Sequence, residues 1–134
     1  MFFEFTVSTN AKSALVDITS KVEECILKSN VRNGVCYIFV PHTTAGVIIN
    51  ENYDPSVSKD ILQVLEKLVP WIGNYAHIEG NSAAHIRSSI LGNTTFVLIQ
   101  DGRMKLGTWQ GIFLAEFDGP RTRRVWVDII EDKM

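Results

Sequence analysis

Four strand-like segments in the C-terminal third of this chain constrain its fold more than any other feature. They are short, rich in β-branched and aromatic residues, and separated by the turn signals Asp101-Gly102, Gly107 and Asp118-Gly119-Pro120. The segments span residues 94–99, 103–106, 111–117 and 122–130. Because strands joined by such short turns pair antiparallel, this run predicts a sheet rich in antiparallel pairs.

The preceding part of the chain mixes strands with helices. Alternation of apolar and polar residues, or short apolar runs, predicts strands over residues 3–7, 35–40 and 47–49. Apolar residues at helical spacing predict one helix after Thr19 or Ser20, a second from Asp54-Pro55-Ser56 to Pro70, and a third over residues 82–91. The order of elements therefore predicts an α+β fold, with an antiparallel-rich mixed sheet or sandwich and two to three helices.

Composition excludes several classes of protein. The 134 residues are 46% hydrophobic and 21% charged, which is typical of one globular domain, so we treat residues 1–134 as a single unit. The formal net charge is −2 and no basic run is present, so we expect no nucleic-acid partner.

No apolar run approaches the roughly 20 residues that span a bilayer. Cys25 and Cys36 lie in apolar surroundings, which favours a reducing cytoplasm, and we expect neither export nor membrane insertion.

The chain has three histidines, His42, His77 and His85, and each lies in a predicted loop or at a helix start. Imidazole suits zinc and similar divalent ions, and some zinc enzymes use three histidines with one open position. The spacing of these three matches no compact metal motif, so only the fold can bring them together. Three unrelated surface or hydrogen-bonded histidines remain an equally good interpretation.

Two polar segments surround these histidines. Glu51 follows a predicted strand, where a carboxylate can act as a general base or can orient an imidazole. The segment from His77 to His85 also contains Glu79 and Asn81 beside a glycine and a helix start, where backbone N–H groups favour a phosphate-bearing ligand. An ordinary helix-capping segment is nearly as good an interpretation of that second stretch.

Two further groups near the C-terminal end suit a ligand less specifically. Trp109 lies between glycines and either stacks on a flat ring or packs as a wedge; its loop lacks the lysine of a nucleotide-binding P-loop, so we expect no nucleotide cofactor. Arg121 and Arg123 alternate onto one side of the last strand, and Arg124 lies on the other. For Arg123 and Arg124 we expect a solvated strand edge.

Five motifs occur in the order of a known family. They are His42-Thr43-Thr44-Ala45, Glu51-Asn52-x-Asp54-Pro55, His77-x-Glu79-Gly80-Asn81-Ser82-Ala83-Ala84-His85, Leu106-Gly107-Thr108-Trp109-Gln110-Gly111 and Glu116-Phe117-Asp118-Gly119-Pro120-Arg121. With these motifs the chain resembles, over nearly its whole length, the YjbQ-like family, which is labelled secondary thiamine-phosphate synthase. Tyr53 departs from the family pattern, where a small residue is expected, and we expect it to narrow the pocket.

The resemblance implies an α+β homotrimer whose sites lie near subunit interfaces. It also implies an activity that joins an aminopyrimidine diphosphate to a thiazole phosphate with release of pyrophosphate. In that reading His42, His77 and His85 bind a divalent metal, zinc or magnesium, or an anion. The substrate-binding candidates are Thr43, Asn81, Trp109 and Arg121, and the candidates for proton transfer are Glu51 and Glu79.

Two other functions stay open. A metal held by imidazoles with an open position activates water near neutral pH, so a metal-assisted hydrolase of a small phosphorylated metabolite is one of them. The other is a non-catalytic trimer that binds a ligand in its polar pocket.

Overall fold

Two antiparallel sheets and three helices make up the part of the chain that the computed structural model describes, residues 1–133. The helices are α1 (Thr19–Ser29), α2 (Pro55–Leu68) and α3 (Ser82–Leu91). The strands are β1 (Phe2–Ser8), β2 (Ala14–Asp17), β3 (Gly34–Phe39), β4 (Ala45–Glu51), β5 (Thr94–Gln100), β6 (Arg103–Lys105), β7 (Gln110–Glu116) and β8 (Thr122–Glu131). The predicted α+β class is confirmed. Within residues 1–133 no helix is long and apolar enough to cross a membrane.

The larger sheet has the order β1-β8-β3-β5-β6 and the smaller sheet the order β2-β7-β4. Every pair of neighbours in both sheets is antiparallel. Of the three predicted turns, however, only Asp101-Gly102 joins paired strands, β5 and β6, whereas Gly107 and Asp118-Gly119-Pro120 connect strands of different sheets. Sequence analysis missed β2, because its four residues show no alternation and all are at least partly exposed. This strand forms one edge of the smaller sheet.

The core lies between the two sheets and under α1. The face of α1 predicted from helical spacing is buried through Val22, Cys25 and Ile26, whereas Leu27 is exposed. Alternate residues of β8 point inward, beginning with Arg123 and Val125. A smaller apolar cluster lies where α2 and α3 cover the smaller sheet.

The outer face of the larger sheet is unusually apolar. By the outer face we mean the side of this sheet that points away from the core. The strand register places the following exposed or half-buried side chains on it: Phe2, Tyr37, Phe39, Phe96, Leu98, Trp126 and Ile130. Asp128 lies among them, opposite both Phe2 and Tyr37. Single exposed apolar residues are common, but a large patch rich in aromatic side chains typically marks an interaction surface. This face is therefore the main candidate for contact with another protein chain.

The helix starts differ in how they are capped. Asp54 accepts a hydrogen bond from the Ser56 N–H at 2.9 Å and Pro55 is the first residue of α2, as predicted. At α3, Asn81 occupies the capping position without a side-chain cap. Its side-chain amide instead donates to Asp118 Oδ2 at 2.9 Å, so this hydrogen bond holds the N-terminal end of α3 to the loop before β8.

Close packing of α3 on β4 positions the site. The Val47 N–H donates to the Gly92 carbonyl at 3.1 Å, and a Cβ at Gly46 would lie only 2.5 Å from the same oxygen. Glycine is therefore required at position 46 for this approach. The packing places one face of α3 opposite the loop between β3 and β4, which contains His42.

Candidate ligand-binding site

His42 is held by the backbone of the last strand. Its Nε2 accepts a hydrogen bond from the Arg124 N–H at 2.9 Å. The β3–β8 register ends at Phe39, opposite Trp126, and its continuation would place Arg124 opposite Pro41. The imidazole thus satisfies a backbone donor at the point where β3 can no longer do so.

The surroundings of His42 favour its neutral form. Burial lowers the pKa of His42 below its ordinary value, and the positive charges of Arg123 and Arg124 lower it further, against a smaller opposing effect of Glu116. The ring is therefore uncharged at neutral pH. A neutral imidazole that accepts a hydrogen bond at Nε2 has its proton on Nδ1.

A buried ion pair between Glu116 and Arg123 contacts the loop that contains His42. Glu116 is 0% exposed and Arg123 is 2% exposed. Arg123 donates from Nε to Glu116 Oε1 at 2.8 Å and from its terminal nitrogen to Glu116 Oε2. The same terminal nitrogen donates to the Thr44 hydroxyl at 2.8 Å and to the Thr44 carbonyl at 3.1 Å. The ion pair therefore fixes the residue that ends the His42-Thr43-Thr44 turn.

Hydrogen bonds keep Glu116 ionised in this buried position. Burial by itself would raise its pKa, but donors from Arg123, the Asp118 N–H and the Thr9 hydroxyl outweigh burial and lower the pKa below its ordinary value. The expectation of a solvated edge is wrong for Arg123, because Arg123 shares the core-facing side of β8 with Val125. Arg124 is exposed as expected, but it does not lie at a sheet edge, because β8 pairs with β1 on one side and β3 on the other.

His85 lines two cavities, and the first of them, which we call the His42 cavity, lies between this loop and α3. Its volume is about 450 Å³, and it is lined by His42, Thr43, Ala45, His85, Ser88, Ser89, Gly92 and Asn93. Ser88 is 6% exposed, and its hydroxyl has no hydrogen-bond partner within residues 1–133. Because an unpaired buried hydroxyl is costly, Ser88 suggests a ligand that completes its hydrogen bonds.

A second cavity, the His77 cavity, lies on the other side of His85. It has a volume of about 420 Å³ and is lined by Asn74, Tyr75, Ala76, His77, Ser82, His85 and Ile86. The rings of His77 and His85 meet edge to face with centroids 5.3 Å apart, and His77 Nε2 lies 4.0 Å from Glu79 Oε2. His85 therefore forms a wall of both cavities.

Asn81 and Arg121, two of the predicted substrate-binding residues, are brought together by a carboxylate. Asp118 Oδ2 accepts from Asn81 Nδ2 at 2.9 Å and from the Arg121 guanidinium at 3.1 Å, and Arg121 Nε donates to the Asp118 carbonyl. The Asn81 Oδ1 atom is buried without a partner among the described residues. The two residues thus lie together, but much of their donor capacity is already used by Asp118.

Glu51 and Trp109 lie away from the histidines of the same chain. Glu51 ends β4 and accepts a long hydrogen bond from the Asp54 N–H, at 3.3 Å. The ring of Trp109 packs edge-on against Tyr53 at 5.1 Å, also at this end of the strand. Since β4 has seven residues, this end is about 20 Å from its start beside the His42 loop. Tyr53 therefore packs on Trp109 instead of lining the His42 cavity.

The three histidines do not form a metal site within one chain. His42 shares a cavity with His85, and His85 shares the next with His77, but no group of three His, Cys, Asp or Glu side chains in residues 1–133 is arranged to hold a metal ion. A zinc or magnesium site stays a prediction that needs a further ligand.

Sequence reasoning overlooked Ser88, Asp118 and the Glu116–Arg123 pair as parts of this site. For Ser88 a signal existed, because it follows His85 by three positions and so lies on the same face of α3. For Arg123 the signal was that it lies two positions before Val125 and therefore on the same side of the strand as an apolar residue. For Asp118, no pattern in the sequence shows that Asn81, 37 positions earlier, will reach it.

Comparison with known proteins gives a consistent result. The model of the UPF0047 protein YjbQ-like family matches residues 3–132. A UPF0047 protein of Methanocaldococcus jannaschii is 53% identical, over 99% of this chain and 96% of its own length. The UPF0047 protein YugU of Bacillus subtilis is 43% identical, over 92% of this chain and 95% of its own length.

Solved structures agree. A YjbQ/UPF0047 family protein of Clostridium acetobutylicum superposes with a TM-score of 0.94 at 48% identity, covering 96% of this chain and 99% of its own. A YbjQ-like protein of Sulfolobus solfataricus superposes with a TM-score of 0.94 at 37% identity, covering 98% of this chain and 97% of its own. The motifs, the fold and these similarities agree, and the chain belongs to the YjbQ-like UPF0047 family.

Proposed function

We propose that this protein is a small transferase of the thiamine-phosphate synthase type, which joins an aminopyrimidine diphosphate to a thiazole phosphate and releases pyrophosphate. The observation that carries the proposal is the pair of cavities of similar volume on either side of His85. A reaction between two substrates needs two adjacent sites, whereas hydrolysis of one substrate needs only one. Holding two reactants side by side is itself a large contribution to catalysis.

The positions of several candidate residues support the roles that we propose for them. His42, Thr43 and Ser88 supply polar groups around the His42 cavity, where a phosphate group would develop charge as it leaves. Asn81 precedes α3 and Arg121 precedes β8, and both contact Asp118, so the two remain candidates for the phosphate of the thiazole substrate. Of the two acids proposed for proton transfer, the position of Glu79, 4.0 Å from His77, favours Glu79 over Glu51.

We further propose that the protein is a cytoplasmic homotrimer. The outer face of the larger sheet supports self-association, because it exposes several aromatic and aliphatic side chains on one face. A second copy would also be the only source of a Glu51 or Trp109 close to this site, since those of the same chain lie at the far end of β4. Cys25 and Cys36 are free and buried, which suits a reducing compartment.

The test is release of pyrophosphate by the purified protein from an aminopyrimidine diphosphate, with and without the thiazole phosphate. We expect release to depend on the thiazole, and we expect His42→Ala, His77→Ala and His85→Ala each to reduce it. Ser58→Ala on α2 is the control and should leave the rate unchanged. The assay is run with Zn²⁺, with Mg²⁺ and with a chelator.

Other outcomes would support other functions. Release from one substrate without thiazole would favour the hydrolase, while tight retention of unchanged substrate would favour a binding protein. Equal rates in the wild type and the three histidine variants would remove the histidines from the mechanism.

A further inference from the structure

His42 has no ring nitrogen with a lone pair left for a metal ion. Nε2 uses its lone pair to accept the Arg124 N–H at 2.9 Å. In a neutral imidazole the other nitrogen then bears the proton. A metal at Nδ1 would require that proton to leave, and a metal at Nε2 would require the hydrogen bond to break and leave the Arg124 N–H without its acceptor.

The Arg124 N–H sets the orientation of the His42 ring, because only one of the two ring orientations places a nitrogen lone pair towards it. A backbone N–H can only donate, so the atom that faces Arg124 must be an acceptor. Turning the imidazole over would replace Nε2 by a C–H group and would place two hydrogens against each other. The register of β3 on β8 therefore determines which tautomer His42 adopts.

His77 and His85 differ from His42 in this respect. Within residues 1–133 neither of their rings has a hydrogen bond; His77 Nε2 has only the carboxylate of Glu79 nearby, at 4.0 Å. Their closest ring contact is with each other, at 5.3 Å between centroids. The three histidines are thus chemically unequal, although the sequence motifs present them as one set.

We infer that His42 is a fixed hydrogen-bond donor, which presents Nδ1–H to an oxyanion such as a phosphate group in the His42 cavity, and that it does not ligate a metal. The hydroxyl of Ser88, buried and unpaired in the same cavity, is a second donor for the same group. Only the identity of this oxyanion rests on the proposed function. The tautomer of His42 does not.

The direct test is nuclear magnetic resonance of the ring nitrogens in ¹⁵N-labelled full-length protein, read for tautomer before and after addition of Zn²⁺. We expect the Nδ1–H tautomer for His42 and no change on addition of zinc, whether or not zinc binds elsewhere. An Nε2–H tautomer, or a His42 signal that moves with zinc, would overturn the inference.

Two variants of His42 test whether it acts as a hydrogen-bond donor to an oxyanion. His42→Asn places an amide N–H near the position of Nδ1, while His42→Phe keeps a ring without a donor. With inorganic pyrophosphate as the probe in calorimetry, we expect affinity to fall about tenfold to a hundredfold in His42→Phe and much less in His42→Asn. Equal loss in both variants would refute the donor role.

The outcomes also distinguish this inference from the proposed function. If the wild type binds no pyrophosphate but His42 has the Nδ1–H tautomer, the proposed ligand is wrong and the assignment of His42 as a non-ligand stands. If the Nε2–H tautomer is found while pyrophosphate release still depends on thiazole, the proposed function stands and this inference fails.

Discussion

Replacing Arg123 by methionine should destabilise the protein by about 3–5 kcal/mol, because it leaves the carboxylate of Glu116 buried without its counter-ion. Arg123 and Glu116 are only 2% and 0% exposed, so water cannot replace the lost partner. Methionine is long and flexible enough to fill most of the space, which keeps any cavity contribution small. Domains of this kind have a free energy of unfolding of about 5–15 kcal/mol, so the loss is a large share of the total.

The destabilisation should depend on pH in a defined direction. In the wild type the pKa of Glu116 is lowered on folding, so its contribution to stability is present above the ordinary carboxyl pKa and is lost as the pH falls through the folded-state value. In Arg123→Met, burial without the guanidinium should raise that pKa instead. Protonation of Glu116 then removes the buried, unpaired charge from the variant. The difference in stability between the wild type and Arg123→Met should therefore be smaller at about pH 4 than at neutral pH.

The measurement is urea-induced unfolding followed by tryptophan fluorescence, at one protein concentration and at both pH values. Arg124→Met is the matched control: it makes the same change one residue later, where the side chain is 55% exposed, and should shift stability by no more than about 0.5 kcal/mol. If the two variants lose the same stability, or if the loss in Arg123→Met is independent of pH, then the buried pair does not act as described.

Three further changes test the rest of the structure. Gly46→Ala should destabilise by about 1–3 kcal/mol, since the new Cβ would lie 2.5 Å from a backbone oxygen, whereas Gly107→Ala meets only a flexible side chain at 3.2 Å; urea unfolding compares them. Ser88→Ala should leave stability unchanged or slightly higher because its hydroxyl is unpaired, yet should weaken pyrophosphate binding in calorimetry. Phe96→Glu should reduce the mass in light scattering towards the 15.1 kDa of one chain, and an unchanged mass would contradict the proposed interface.

Much of the secondary structure was predictable, because its signals are local. Asp54 and Pro55 mark the start of α2, and the third helix was predicted over residues 82–91, as α3 is observed. Strand alternation even indicated the side of β8 to which Arg123 points, although the expectation of solvent there was wrong. What alternation does not show is that Arg123 meets the carboxylate of Glu116, the last residue of β7, on that inward side.

The candidate site was predictable only in its membership. The motifs named His42, His77 and His85, but their spacing left open whether they meet. The structure brings His85 between the other two and places Glu51 at the opposite end of β4. That arrangement depends on contacts between residues tens of positions apart, which no local pattern records.

Residue chemistry and periodicity, both properties of the sequence alone, determined that this chain forms antiparallel sheets with helices on them and that its three histidines lie in polar segments. Only the tertiary structure decided what each histidine can do. The pairing of β3 with β8 ends beside His42 and uses one of its nitrogens, while the rings of His77 and His85 remain unbonded within the described residues. An imidazole becomes a donor or a ligand according to which nitrogen its neighbours occupy, and those neighbours are distant in sequence.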